Sequence, residues 1–286
     1  MQLQLALSIA RPGNVIKLAA GTYVGQFTAT ASGSSSAPIW LCGPRSARLT
    51  TGSIHSGHAL MVSGVSNFVV TGFTVDTAFK GVTVVSGNRV AITDLAVSNT
   101  GFEGIHLRNQ TRDSTVSYNT ISRTGMQTTK YGEGIYIGTS GANWCELNGC
   151  NPDRTQGVHL TGNTISNTGA QPIEVKEGTS SGFITGNILT GSSRIEISSK
   201  SLILVKGNGY TVTDNQVKDP RVYGLQTIGS DDWGRVNLFA RNRVTGAPSD
   251  GIWIHQPGNQ GPLGNVVYCS NRSDGPRVTN LTCARD

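Results

Sequence analysis

Glutamate is scarce in this 286-residue chain, and four of its six copies, Glu103, Glu133, Glu174 and Glu177, fall in or beside one kind of short apolar phrase. Two of the seven lysines, Lys176 and Lys206, stand at the same place in successive copies of it, Ile-Glu-Val-Lys and Ile-Leu-Val-Lys. Arg108, His106, Tyr136, Gln226, Trp253 and His255 hold neighbouring places in other copies. Acids, bases and sugar-stacking aromatics at one register are the material for proton abstraction. A base removes a carbon-bound proton, cations neutralise the adjacent carboxylate, and a phenol or water protonates the departing oxygen. Lys176, Lys206, Arg108, Tyr136 and Glu174 are therefore the candidate catalytic residues. His106, Glu177, Gln226, Trp253, His255 and Asp232 are the candidate substrate-binding ones. Two lysines in one column depress each other's pKa unless an acid or ligand lies between them, which is how a lysine becomes a base near neutral pH.

Glu103 and Glu133 recur at equivalent places one repeat apart. Two unpaired carboxylates so close repel unless a cation or a basic side chain separates them, so they are the candidate metal ligands, with calcium the expected ion. A hydrolase needs a carboxylate pair instead, for which Glu133, Glu174 and the adjacent Asp231 and Asp232 are available. The competing reading of the whole group is a solvated face whose charges pair across repeats, and Glu196, Lys130 and His159 are assigned to it.

What must position these residues is a repeat. The phrase returns at Gly81, Gly104, Gly134, Pro172, Leu202, Gly224 and Gly251, with spacings as short as 22 or 23 residues and longer ones that contain insertions. A second phrase carries Asn119, Asn163, Asn187, Asn215 and Asn242, each two residues before its last apolar residue. Short β-branched strands at such a period, punctuated by Gly and Asn, predict a solenoid of stacked strands. Regular leucines and a helix per repeat, the marks of leucine-rich repeats, are missing. The fold class expected is an all-β, single-domain, right-handed parallel β-helix over residues 1–286, with a cap from about 265 to 286. The asparagines are expected to stack as an amide ladder. Alternation turns Ile105, Leu107, Ile135, Ile137, Ile173, Val175, Ile203 and Val205 inward, so the chemically varied residues point out. On that reading Lys176→Ala abolishes turnover, opens no cavity and changes stability by less than about 1 kcal/mol. Insertions at 124–133, 139–156, 191–199 and 229–235 are expected to wall a groove.

Of five cysteines, Cys145 with Cys150 and Cys269 with Cys283 are expected as disulfides, with Cys42 left over. Metal binding by the close cysteines lacks further ligands. Disulfides imply an oxidising compartment, so a secreted protein is expected, with a truncated or engineered N-terminus because no signal segment precedes the first coil. No apolar run reaches transmembrane length. The formal net charge of +6 favours an acidic partner. No basic cluster interleaved with aromatics suggests nucleic acid, so an acidic polysaccharide is expected, bound by a monomer. The sequons at Asn109, Asn271 and Asn280 occur at chance frequency.

At Gly-Glu-Gly-Ile-Tyr-Ile-Gly (132–138), the cysteine-containing loop and Val-Lys-Glu-Gly-Thr (175–179), the chain resembles the pectate-lyase-like superfamily, and within it secreted microbial β-helix proteins. The resemblance covers nearly the whole chain and implies a polysaccharide lyase with a Lys or Arg base on a parallel sheet. It also implies an acidic calcium site or a second basic residue on the substrate carboxylate. The tight aspartate cluster of some pectate lyases is absent here, and the superfamily includes hydrolases, epimerases and noncatalytic adhesion modules. The function expected is β-elimination on a uronic-acid polysaccharide.

Overall fold

Val, Ile, Leu and Thr dominate the repeated phrases, and strands of two to six residues bury alternate side chains. A computed structural model describes residues 2–230, 232–258 and 261–286. In it the chain winds through about ten coils of a parallel β-helix, forming two ten-stranded sheets and one nine-stranded sheet. The first sheet runs from Val15–Lys17 to Val266–Val267, the second from Gly21–Val24 to Arg272–Ser273, the third from Phe27–Ala29 to Ile252–Ile254. Every strand pairing within them is parallel, as strands linked by successive crossovers of one hand require.

Register follows the phrases. Ile105, Ile135, Ile173 and Ile203 pair in turn, and so do Leu107, Ile137, Val175 and Val205. All eight are fully buried, each contributing about 1.5–3 kcal/mol of apolar burial.

The corner between the first two sheets holds the amide ladder. Asn119 Nδ2 donates to Asn163 Oδ1 at 2.9 Å, Asn163 to Asn187 at 3.0 Å, and Asn187 to Asn215, Asn215 to Asn242 and Asn242 to Asn271 each at 2.9 Å. The residue before each of the first five takes a left-handed conformation: Tyr118 at φ 55°, Gly162 at 64°, Gly186 at 66°, Asp214 at 58° and Arg241 at 53°. Asn271 extends the ladder and is 1% exposed, so that sequon belongs to the interior.

Both expected disulfides are present, and Cys42 is a half-buried free thiol. The sequence reading missed the helix Gln2–Ile9, which buries Leu3 and Leu7 over the first coil; their i, i+4 spacing is its only signal. Gln4 accepts from the Thr28 backbone N–H and donates to its carbonyl, at 2.8 and 3.0 Å. At the other edge of the third sheet Asn280 does the same for Ile254, at 2.8 and 2.9 Å. Past the last strands, Ala284 bridges to Tyr268 beside the Cys269–Cys283 bond.

Candidate active site

The outward columns of the third sheet run His106, Tyr136, Glu174, Leu204, Gln226, Trp253 in strand register. Outward does not mean solvated: His106, Glu174 and Gln226 are each 5% exposed and Lys176 8%. The insertions cover this face. Asp153, fully buried, fastens the 139–156 insertion by accepting from the backbone N–H groups of Asn109 and Gln110 and from the Thr139 hydroxyl. Nothing in the repeat pattern singled it out. Lys176 points away from the core as alternation required, but the loops bury it and Glu174 holds it, so its removal would strip a buried contact that the sequence reading did not foresee.

Beneath the loops lies a cleft of about 720 Å3. It is lined by Arg108, Tyr136, Glu174, Lys176 and Lys206, all five candidate catalytic residues, and by Glu103, Glu133 and His106. Lys80, Phe102, Lys130, Tyr131 and Gln171 line it as well. Lys130 had been placed on a solvated face; the 124–133 insertion turns it into the cleft instead. Glu196 accepts from the Thr129 hydroxyl and so serves that insertion structurally. Five candidate binding residues stand elsewhere. Glu177 accepts from the Gly141 N–H at 2.6 Å. Gln226 is buried beyond Leu204, and Asp232 is exposed on its loop. Trp253 stacks on Tyr223 at 5.3 Å with His255 beside it, on coils the larger insertions do not reach. Asp231 lies outside the described residues.

One carboxylate organises the centre. Glu174 Oε1 accepts from Lys176 Nζ at 3.0 Å and from Lys206 Nζ at 2.9 Å. An acid therefore does lie between the lysines. Burial pushes the Glu174 carboxyl up, but the two ammoniums outweigh it and hold the pKa below the ordinary range. Burial likewise opposes the Lys176 charge, and Glu174 with Glu177 overcomes it, so Lys176 titrates above its ordinary value. Lys176 rests as an ammonium, the case in which an acid between the two lysines prevents the mutual depression.

The surrounding groups are tuned the other way. Burial, then Glu174 and Glu103, drive the Glu133 carboxyl well above the ordinary carboxylate range. Burial followed by the same glutamates pushes the Tyr136 phenol well up. Burial, then Lys80 and Arg108, keep His106 neutral; its Nε2–H donates to the Gly138 carbonyl at 2.8 Å. The 3.8 Å approach of His106 Nδ1 to Glu103 is therefore not an ion pair. Glu103 pairs instead with Lys80 at 3.2 Å. Arg108 makes no ion pair among the described residues, and its buried Nε finds no acceptor.

Calcium fits this donor set poorly. Glu103 is paired with Lys80, and among the described residues no group of three or more His, Cys, Asp or Glu is placed to hold a metal.

Neither a protein-family profile nor a curated protein sequence matches this chain. Solved structures do. An alginate lyase from Paenibacillus sp. str. FPU-7 superposes with TM-score 0.82 at 28% identity, over 96% of this chain and 95% of that one. Pectate lyase Pel9A superposes with TM-score 0.66 at 14% identity, over 98% and 72%. A GH136 lacto-N-biosidase from Eubacterium ramulus gives 0.63 at 13%, over 96% and 62%. The fold is the pectate-lyase-like parallel β-helix, and the likeness to the alginate lyase supports a polysaccharide-lyase-like role.

Proposed function

We propose that the protein is a secreted, monomeric lyase that cleaves a uronic-acid polysaccharide by β-elimination. The observation that carries this reading is the charge of the cleft. Four cations, Lys80, Arg108, Lys176 and Lys206, face two carboxylates held in ion pairs and a third, Glu133, whose titration is driven well up, with Arg108 unpaired.

A uronate entering the cleft sets its carboxylate on the Arg108 guanidinium, whose planar fork matches it. Neutralising that charge acidifies the proton on C5. Lys206 turns from Glu174 toward the same carboxylate. Lys176, once its proton has passed to solvent, accepts the C5 proton. The C5 electron pair forms the C4–C5 double bond, and the C4–O4 bond breaks as Tyr136 gives its phenolic proton to O4. Afterwards the Lys176 ammonium, whose Nζ lies 5.7 Å from the Tyr136 ring centroid, reprotonates the phenolate.

Alginate is the first polymer to test, because the lyase at 28% identity acts on it; pectate, glucuronan and glycosaminoglycans follow. Elimination gives new reducing ends together with the ultraviolet absorbance of an unsaturated uronide. Reducing ends without that absorbance would replace the reading with hydrolysis, which Glu133 with its titration driven up, beside Glu174 with its titration held down, favours as second choice. Binding with neither product would leave a noncatalytic carbohydrate-binding protein.

A further inference from the structure

We infer that Lys130, Tyr131 and Phe102 form a separate sugar subsite at one end of the cleft, which receives a uronate unit remote from the bond being cleaved. The inference rests on the lyase reading and adds to it the part of the cleft that selects chain length.

Tyr131 is 43% exposed, and its ring stands 5.0 Å from that of Phe102, which packs at 4.2 Å on Phe79. An exposed ring backed by two others offers the apolar face of a pyranose a fixed surface. Lys130 Nζ sits 5.2 Å from the Tyr131 ring centroid. Unlike Lys80, which Glu103 holds, Lys130 pairs with no carboxylate among the described residues. A ring face with a free ammonium at its side is the complement of a sugar that carries a carboxylate.

The loop that presents these groups is braced from several sides. Thr129 donates to Glu196 at 2.5 Å, Thr124 donates to the Gly132 carbonyl at 2.6 Å, and Gly169 and Ala170 donate to the same carbonyl at 3.1 and 3.0 Å. The backbones of Gly125, Gly132 and Gly169 meet so closely that a Cβ on Gly132 would fall 2.6 Å from Gly125 Cα. Such a wall is preorganised, so binding spends little on ordering it. Phe102 belongs to the coil of Arg108, two coils before Lys176, a separation of about 10 Å. A chain lying across the coils with its reacting C5 at Lys176 therefore reaches the rings with a unit further along, and short oligomers do not reach them.

The test is calorimetric binding and steady-state kinetics of Lys130→Gln and Tyr131→Ala on uronate oligomers of increasing length. Both side chains leave the core untouched, and unchanged melting confirms folding. On long oligomers each variant is expected to raise Kd and KM about tenfold, the loss of one ring or ion contact, with kcat within about twofold. On the shortest oligomers the variants match wild type. Variants that bind long oligomers as wild type does overturn the subsite while elimination by wild type still stands. A variant that loses affinity although wild type forms no unsaturated product leaves the subsite and overturns elimination. Wild type that binds no uronate oligomer overturns both.

Discussion

Two stacks of polar side chains run along this molecule, and they behave oppositely. In the corner stack every member is asparagine, and each amide both donates and accepts, so the column closes on itself with backbone carbonyls taking the second proton, as when Asn119 donates to Ile92. In the cleft stack the residue changes at every coil: His106, Tyr136, Glu174, Leu204. Donors and acceptors there do not match, and the imbalance survives as a shared carboxylate, a Glu133 carboxyl driven well above its ordinary range and an unpaired Arg108. Repetition satisfies polar groups; variation on the same scaffold leaves charge with work to do.

The sharpest way to break this contrast is Lys176→Ala, which is expected to lower kcat by about 10²–10⁴. It also removes one ammonium from buried Glu174, at about 1–3 kcal/mol. Chemical denaturation checks the second figure, and Lys206→Ala is the control for the first. Should Lys206→Ala abolish turnover while Lys176→Ala does not, the base belongs one coil further on.

Glu174→Gln tests the carboxylate that holds Lys176 as an ammonium. In wild type that carboxylate raises the Lys176 titration, so the free amine forms, and kcat rises, only at high pH. In the variant the titration falls, and the rise in kcat moves to lower pH. An unchanged profile would remove Glu174 from the mechanism.

Asn187→Ala strikes the other stack. It strands the Asn163 N–H and the Leu160 carbonyl, costing about 1–3 kcal/mol for each orphaned group. The melting temperature is expected to fall while kcat stays near wild type at low temperature; a lost kcat with unchanged melting would reverse the roles assigned to the two stacks.

Glu133→Gln sharpens the picture within the cleft. A carboxyl whose folded pKa is raised contributes stability below its unfolded value, near 4.5, and loses it as pH rises. Glu174, depressed by its lysines, does the reverse: its contribution is present above its unfolded value and disappears as pH falls through the folded one. At pH 7 Glu133→Gln should therefore raise stability and Glu174→Gln lower it, as chemical denaturation would read. The smallest effect is expected from chelation, which should leave cleavage and melting unchanged. Activity lost to a chelator and restored by calcium would return a cation to Glu103 and Glu133.

The coils, the register, the corner amides and both disulfides were legible in the sequence because each is a property of the repeat or of nearby cysteines. The five candidate catalytic residues lie together in the cleft for the same reason: strand register alone gathers them. What sequence missed lies in segments that break the period. Lys130 and Tyr131 depend on the fold of the 124–133 insertion, which no periodicity encodes. Trp253 and His255 share the register but not the roof, since the larger insertions end before their coils. The burial of Lys176 was misread because alternation gives the direction of a side chain and says nothing of what a loop lays over it.

The two amides at the margins of the third sheet, Gln4 on Thr28 and Asn280 on Ile254, have a consequence for solubility. A stack of parallel strands is a template on which any further strand of the right pitch can add, and this one is long and regular enough to seed fibres. Each amide offers one donor and one acceptor to the peptide group of the outermost strand, in the place a new strand would use. The molecule thus ends its own polymerisation with side chains that imitate one link of the polymer. Replacing either amide would expose a growing tip on the very sheet that carries the cleft.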